Sequence, residues 1–357
     1  MHFLKGSLVA AKRLKPVGGA RVTGADVARL AKVDPAVVSK LLKGDAKLRV
    51  SEETRQRVMD AVDQLGYRPN YAAQRLRSSR QIGAVGLIIP NFSNPAFAEI
   101  VHGAEVASRK QKISLFVASD DEFTTPLELI TDLVASERVD AILIAGGTAK
   151  ETAAINEFLT KRRFPFLFLN RQSVGTRRSL FLDDEYAIEL AVNHLVKLGH
   201  TRIYNIAGKK TMETGKRRQK AFMEAIKSAG LPFTPDLIVE EEYSALGGQH
   251  GFEKIMARKP KPTALLVSEF VMAVGAMNAA RKAKVSIPDQ LSLVAFNNLD
   301  IASLLNPTLT TVGLQLQHLG EEGFNLLLET PFDEEIYQTV SKSAQLYPRE
   351  STRAIRK

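Results

Sequence analysis

The stretch RVTGADVARLAKVDPAVVSKLLKGDAKLRVSEETRQRVMDAVDQLGYRPN, residues 21–70, decides how the N-terminal end of this chain folds. Its apolar residues recur at helical spacing in three short blocks. Thr23, with Asp26 three residues on, is a capping pair that opens a helix running to Ala31, with Val27, Leu30 and Ala31 expected on the inner face. Lys32 and Val33 are left for a tight turn. Asp34 suits the N-cap, and Pro35 suits the first helical position, whose N–H has no intrahelical partner in any case. A second helix is therefore expected from there to about Leu42, with Val38, Leu41 and Leu42 inward. Ser51, followed by Glu52 and Glu53, opens a third helix with Val58, Ala61, Val62 and Leu65 inward, and Gly66 ends it. Two short helices joined by a three-residue turn, with a third packed behind them, make a helix-turn-helix unit.

Charge singles out the same end of the chain. Residues 1–80 carry 17 Lys and Arg against 7 Asp and Glu, while the remaining 277 residues balance at 32 against 32, so the whole formal charge of +10 belongs to one end. A basic module joined to a larger neutral body grips a polyanion with one part and leaves the other free for a second task. A disordered basic tail has the same charge, and it is the helical periodicity that separates the two readings. Residues 1–20, MHFLKGSLVAAKRLKPVGGA, hold no apolar run as long as a signal-peptide core and are expected to form a flexible basic arm.

From Ile82 onward the pattern changes. The runs GAVGLIIP, ISLFVAS, DAILIAG and PFLFLN alternate with helix-length segments, which argues for a parallel sheet covered on both faces. After SLFLDD a second series follows, with RIYNIAG, TALLVS and LSLVAF as strands and EYAIELAVNHLVKLG and KRRQKAFMEAIKSAG as helices. Two such series predict two Rossmann-like lobes. Ligands in open α/β sheets bind beyond the carboxyl ends of the strands. The loops to watch are therefore Asn91 to Phe97, Asn170 to Arg171, the segment after Gly208, Ser268 to Phe270, and Asn297 to Asn298.

The chain has no cysteine, which excludes disulfides and thiolate chemistry, and no stretch approaching 18 apolar residues. A cytoplasmic protein without a membrane partner is expected. An enzyme finds little support. The six histidines include no i, i+4 metal pair, Asp183-Asp184-Glu185 and Glu240-Glu241-Glu242 lack flanking ligands, and GKKTMETGKRR lacks the spacing of a phosphate loop. No cofactor and no metal are expected.

The residues from Val22 to Leu76, with DVARLAKV, the Val38-Ser39 pair and GYRPNYAAQRL, resemble the headpiece of the LacI/GalR family of bacterial transcriptional regulators. IGAVGLIIPNFSNPAFAEIVHGAE resembles the start of that family's ligand-binding core, and the likeness continues in order to LYPRESTR, over residues 21–353. It implies an α/β protein with a helix-turn-helix headpiece at 21–69, a hinge helix at 70–80, and a two-lobed, periplasmic-binding-protein-like core at 81–353. The chain is expected to cross between lobes near 183, 312 and 340, giving an N-lobe of about 81–182 and 312–340 and a C-lobe of about 183–311 and 341–353.

By the same resemblance the second helix enters the major groove. Pro35, Ala36 and Lys40 then face bases and Ser39 lies nearer the phosphates. Lys43, Lys47 and Arg49 are placed for phosphate contacts, and Thr23, Tyr67, Asn70 and Ala73 are further DNA-facing positions. Pro35 offers no donor, Ala36 only a methyl, and Lys40 a donor to guanine, so readout by hydrogen bonds is sparse and more rests on DNA shape. Leu76 takes the place of a minor-groove wedge, which needs a symmetry-related copy beside it and thus a homodimer on a near-palindromic operator. The tail after Thr330 has no leucine heptad, so a dimer is expected rather than a tetramer.

In the core the resemblance places Phe97, Asn170, Arg218, Glu269 and Asn297 against a small-molecule effector, with Arg218 as its main grip. This chain departs from the family at Glu269-Phe270, where Asn-Asp is frequent, at Leu314, where Gln is usual and Gln315 follows, and at Asn170 and Asn297, where carboxylates are common. A sugar or a sugar acid fits these changes equally. The function implied is a transcriptional repressor whose operator affinity is set by a small polar effector. The alternative is a cytoplasmic small-molecule-binding protein of periplasmic-binding type with no specific DNA readout.

Overall fold

Thr23 begins the first ordered turn. Its hydroxyl accepts the Asp26 N–H at 3.3 Å while the Asp26 carboxylate accepts the Thr23 N–H at 2.9 Å, a reciprocal box that starts α1 (Gly24–Ala31). Lys32, at φ 53, turns the chain sharply into α2 (Pro35–Leu42), where the Asp34 carboxylate accepts the Ala36 N–H at 2.7 Å. Ser51 caps α3 (Glu52–Leu65), and Gly66, at φ 57, closes it. In this computed structural model the described residues are 22–42, 48–67, 82–120, 124–171, 175, 177–342 and 344–355. They fall into two units that divide after Gln81.

The core of the first unit is Val27, Ala28, Ala31, Val38, Leu41, Val58 and Ala61, with Leu42, Val62 and Leu65 packed at its margin. Leu30 is a correction to the sequence reading: it is 43% exposed, and Ala28 is buried in its stead. At 3.6 residues per turn, Leu30 projects roughly 100° round the helix from the face shared by Val27, Ala28 and Ala31.

The second unit contains two six-stranded sheets. The first is built from β1 (Ala84–Ile89), β2 (Ser114–Ser119), β3 (Ala141–Ile144), β4 (Phe166–Leu169), β5 (Arg178–Phe181) and β11 (Ile336–Thr339), in the order β11-β5-β4-β3-β1-β2 and all parallel. The second is built from β6 (Ile203–Gly208), β7 (Ile238–Glu241), β8 (Ala264–Val267), β9 (Ser292–Phe296), β10 (Thr310–Gly313) and β12 (Gln345–Tyr347), in the order β12-β10-β9-β8-β6-β7. Among the described residues only the β10–β12 pair runs antiparallel. Continuous apolar runs supply the central strands because both faces are covered: every residue of β1, β3, β4 and β8 is buried.

The connecting helices are α4 (Pro95–Gln111), α5 (Pro126–Ala135) and α6 (Ala149–Lys161) in the first half, then α7 (Asp184–Lys197), α8 (Glu213–Ser228), α9 (Ala245–Met256), α10 (Phe270–Lys282) and α11 (Leu316–Glu329). The chain leaves the first sheet after β5, returns after β10 through α11 to place β11, and leaves again to add β12 to the second. In each lobe one helix pair crosses at backbone contact. A Cβ on Gly103 of α4 would lie 1.8 Å from the Gln317 carbonyl oxygen of α11, and one on Gly248 of α9 would lie 1.8 Å from that of Met272 in α10. Among the described residues no helix is long and apolar enough to cross a membrane.

Candidate functional site

The strands of both sheets end at one cavity of about 240 Å³. From the first sheet, β1 delivers Pro90, Asn91 and, through the Asn94 cap of α4, Phe97; β4 delivers Asn170 and Arg171. From the second, β8 delivers Glu269, β9 delivers Asn297, and the first turns of α8 deliver Thr214 and Arg218. The five residues singled out in the sequence, Phe97, Asn170, Arg218, Glu269 and Asn297, thus all line the same space. Beyond the carboxyl ends of parallel strands is where open α/β sheets hold ligands.

The two lobes use one backbone device to build it. Asn170 follows β4 at φ 50 and Asn297 follows β9 at φ 68, both in the left-handed region that asparagine tolerates. Each donates its N–H to the next strand, to Leu180 O at 2.7 Å and to Val312 O at 2.9 Å. This gives a physical reason for amides at these positions. The Asn170 side-chain oxygen is occupied, accepting from the Leu182 N–H at 3.3 Å and from Arg217 Nη2 at 2.7 Å.

Asp184, fully buried, organises the basic wall. Arg218 donates Nε to it at 2.9 Å and Nη1 to the Ser268 carbonyl at 2.7 Å, and the guanidinium lies 4.9 Å from the Phe296 ring centre. Arg217 donates Nε and Nη2 to the other Asp184 oxygen, at 3.0 and 2.5 Å, and Nη1 to Glu213 at 2.6 Å. Burial pushes the Asp184 carboxyl up, but the Arg218 and Arg217 charges outweigh it and hold it below the usual carboxylate range. Burial pulls Arg218 down, yet Asp184 overcomes this and raises it.

On the other side Glu269 accepts the Phe270 N–H at 2.9 Å, and Asn297 Nδ2 donates to both carboxylate oxygens at 3.1 and 3.0 Å. Burial raises the Glu269 carboxyl above its ordinary range, against the nearby charge of Arg218. Among the described residues, Asn297 Oδ1, the Tyr243 hydroxyl and Arg171 Nε are buried without a hydrogen-bond partner of good geometry. Phe97 and Met212 supply apolar wall. This combination of fixed charges, the carboxylates of Glu242 and Glu269, and spare polar atoms suits a small polyhydroxy compound.

Arg171, Thr214 and Tyr243 also line the cavity and were not among the residues singled out. Arg171 was within view as part of the loop after β4. Tyr243 follows β7, whose sequence IVEE does not read as a strand, so the loop beyond it carried no signal.

In the first unit Pro35, Ala36, Ser39 and Lys40 are exposed on α2, while Val38 and Leu41 are buried beneath them. Arg49 is exposed as well. Thr23 is exposed but holds the α1 cap, and Tyr67 is half-buried, its hydroxyl 3.2 Å from where a Cβ on Gly24 would stand. Lys43, Lys47, Asn70, Ala73 and Leu76 lie outside the described residues. Among the described residues no cluster of three His, Cys, Asp or Glu is able to hold a metal. His200 is structural: its ring nitrogens meet Thr263 Oγ1 and the Arg353 carbonyl, each at 3.1 Å.

Residues 24–70 match the family model for bacterial regulatory proteins, lacI family, and residues 192–352 that for a periplasmic binding protein-like domain. Catabolite control protein A of Priestia megaterium is 31% identical over 311 residues, covering 86% of this chain and 91% of that protein. The HTH-type transcriptional repressor PurR of Aliivibrio salmonicida is 28% identical over 306 residues, 85% of this chain and 90% of that one. Among solved structures, the Lac repressor dimer bound to operator and the anti-inducer ONPF superposes with a TM-score of 0.80 at 25% identity, over 93% of this chain and 99% of that one.

Proposed function

Because the chain belongs to the lacI family of bacterial regulatory proteins, a family of DNA-binding transcriptional regulators, we propose that it represses transcription as a homodimer whose grip on a near-palindromic operator is set by a small polar effector in the cavity between the sheets. The observation that carries this reading is the make-up of that cavity. Asn170 and Arg171 come from one sheet and Thr214, Arg218, Glu269 and Asn297 from the other, so a ligand touching both sets has a different affinity for each lobe arrangement.

In this reading Pro35, Ala36 and Lys40 face bases and Ser39 faces phosphate, with Thr23, Lys43, Tyr67, Asn70 and Ala73 along the backbone and Leu76 as the minor-groove wedge. The boundaries proposed are 21–69 for the reader, 70–80 for the hinge and 81–353 for the effector core. Phe97 walls the effector, Arg218 and Asn170 hold its oxygens, and Glu269 and Asn297 take its hydroxyls. The protein acts in the cytoplasm and catalyses no reaction. Operator and effector affinities are reciprocally linked, each changing the other by the same factor.

The test is selection of bound fragments from a genomic DNA pool by the purified protein at physiological salt, with and without cell metabolite extract. Enrichment of a palindrome with a flexible central step, altered by the extract, is the expected result. No enrichment under either condition would overturn the regulator reading.

A further inference from the structure

The geometry points to Arg171 as the receptor for an anionic group on the effector, which makes that effector a polyhydroxy carboxylate, a sugar acid, bound with its carboxylate at Arg171 and its hydroxyls toward Glu269 and Asn297. This deepens the effector reading above and rests on it.

Two other buried arginines of the core, Arg178 and Arg218, and the half-buried Arg217 show what a structural guanidinium looks like in this protein. Arg217 and Arg218 share Asp184, and Arg217 takes Glu213 as well. Arg178, also buried, donates to the backbone carbonyls of Phe166 at 2.9 Å, Pro331 at 2.9 Å and Glu334 at 2.6 Å, a nest of partial negative charge. Arg171 has neither arrangement. It is 6% exposed, and its protein acceptors are the Asn170 carbonyl at 3.0 Å and the Thr214 hydroxyl at 3.4 Å, both on Nη1. Its Nε has none.

A guanidinium does not shed its proton at physiological pH, so burial without an anion leaves an uncompensated charge. Burial lowers the Arg171 pKa, and the charges of Arg217 and Arg218 add to that, against Tyr243 and Glu213. In this corner the carboxylates of Asp184 and Glu213 are paired with Arg217 and Arg218, and Arg171 shares neither. The planar fork of Arg171 donates side-on to a carboxylate, with Nε and Nη2 left for it by the contacts on Nη1. The opposite wall fixes the orientation. Glu269 repels a second anion, and its carboxylate together with Asn297 Oδ1 offers acceptors to hydroxyl groups.

The experiment uses the full-length protein and its Arg171→Met and Arg171→Lys variants, melted in a buffer free of polyvalent anions. Gluconate, galacturonate, glucose 6-phosphate, glucose and galactose serve as probes, followed by calorimetry. The expected results are a ligand-free Arg171→Met that melts at or above the wild type, a wild-type melting point raised by a sugar acid but not by its neutral counterpart, and at least about tenfold weaker binding of that acid by Arg171→Met. If Arg171→Met alone melts several degrees lower and Arg171→Lys restores it, Arg171 is a structural cation and the inference falls. Neutral sugars binding wild type and Arg171→Met equally would sink the anion while leaving the effector cavity standing, and a larger response to glucose 6-phosphate would overturn the carboxylate. If no probe shifts the wild type and metabolite extract leaves operator binding unchanged, the effector reading itself fails.

Discussion

Replacing Asp184 by Asn tests whether one carboxylate holds the basic wall of the cavity. The Asp184 side chain is wholly inaccessible, and it accepts Arg218 Nε at 2.9 Å and Arg217 Nε and Nη2 at 3.0 and 2.5 Å. The amide keeps the shape and one acceptor but removes the charge and points N–H groups at a guanidinium. Removing one partner of a buried ion pair costs about 3–5 kcal/mol, and the retained acceptor puts Asp184→Asn near 3. A unit of this size loses roughly 2–4 °C per kcal/mol, so the core transition is expected to fall by about 6–12 °C in thermal melts. The sign with pH follows from the depressed carboxyl. Its stabilisation is fully present above the ordinary aspartate value of about 3.9 and is lost as pH falls through the lower folded value. The gap between wild type and Asp184→Asn is therefore constant across neutral pH and closes only in strong acid. A variant melting within about 2 °C of wild type at pH 7 would refute the reasoning, since it would mean that Arg217 and Arg218 do not depend on this charge.

Glu269→Gln is expected to be at least as stable as wild type at pH 7. Burial raises the Glu269 carboxyl, so ionisation disfavours the folded state, and the advantage of Gln should grow from about pH 4.3 upward in melting curves. Leu41→Ala empties the three-helix core, which has seven buried apolar residues among those described, and should cost about 2–4 kcal/mol. Operator binding should then be lost while calorimetry shows effector binding retained. Gly103→Ala sets a methyl 1.8 Å from the Gln317 carbonyl oxygen and should lower the core transition by about 1–3 kcal/mol or more, measured by denaturant titration.

The sequence showed most of this fold because most of it is local. Thr23, Asp34, Ser51 and Gly66 mark helix ends through hydrogen bonds that span only two to four positions along the chain, and the doubly covered strands are unbroken apolar runs. Strands β5, β7, β10, β11 and β12 went unread because each is only three or four residues long and partly polar, and β7, β11 and β12 also lie at sheet edges. The loop carrying Tyr243 went with them. At the site, the resemblance led to five lining residues, but the isolation of Arg171 depends on which of its neighbours spend their carboxylates on Arg217 and Arg218. That is a property of three-dimensional pairing, and no spacing along the chain reports it.

The interleaving of the two lobes sets a schedule for synthesis. When the ribosome has made the chain through β10, the first sheet still lacks its edge strand β11, and the face of α4 that carries Ile100, Gly103 and Ala104 has no α11 against it. The second sheet waits longer, for β12. A nascent chain in that state presents an open strand edge and bare helix surface, the features that recruit chaperones and invite aggregation. Neither lobe closes until synthesis has passed residue 339, so the two halves of the effector core are completed late and nearly together.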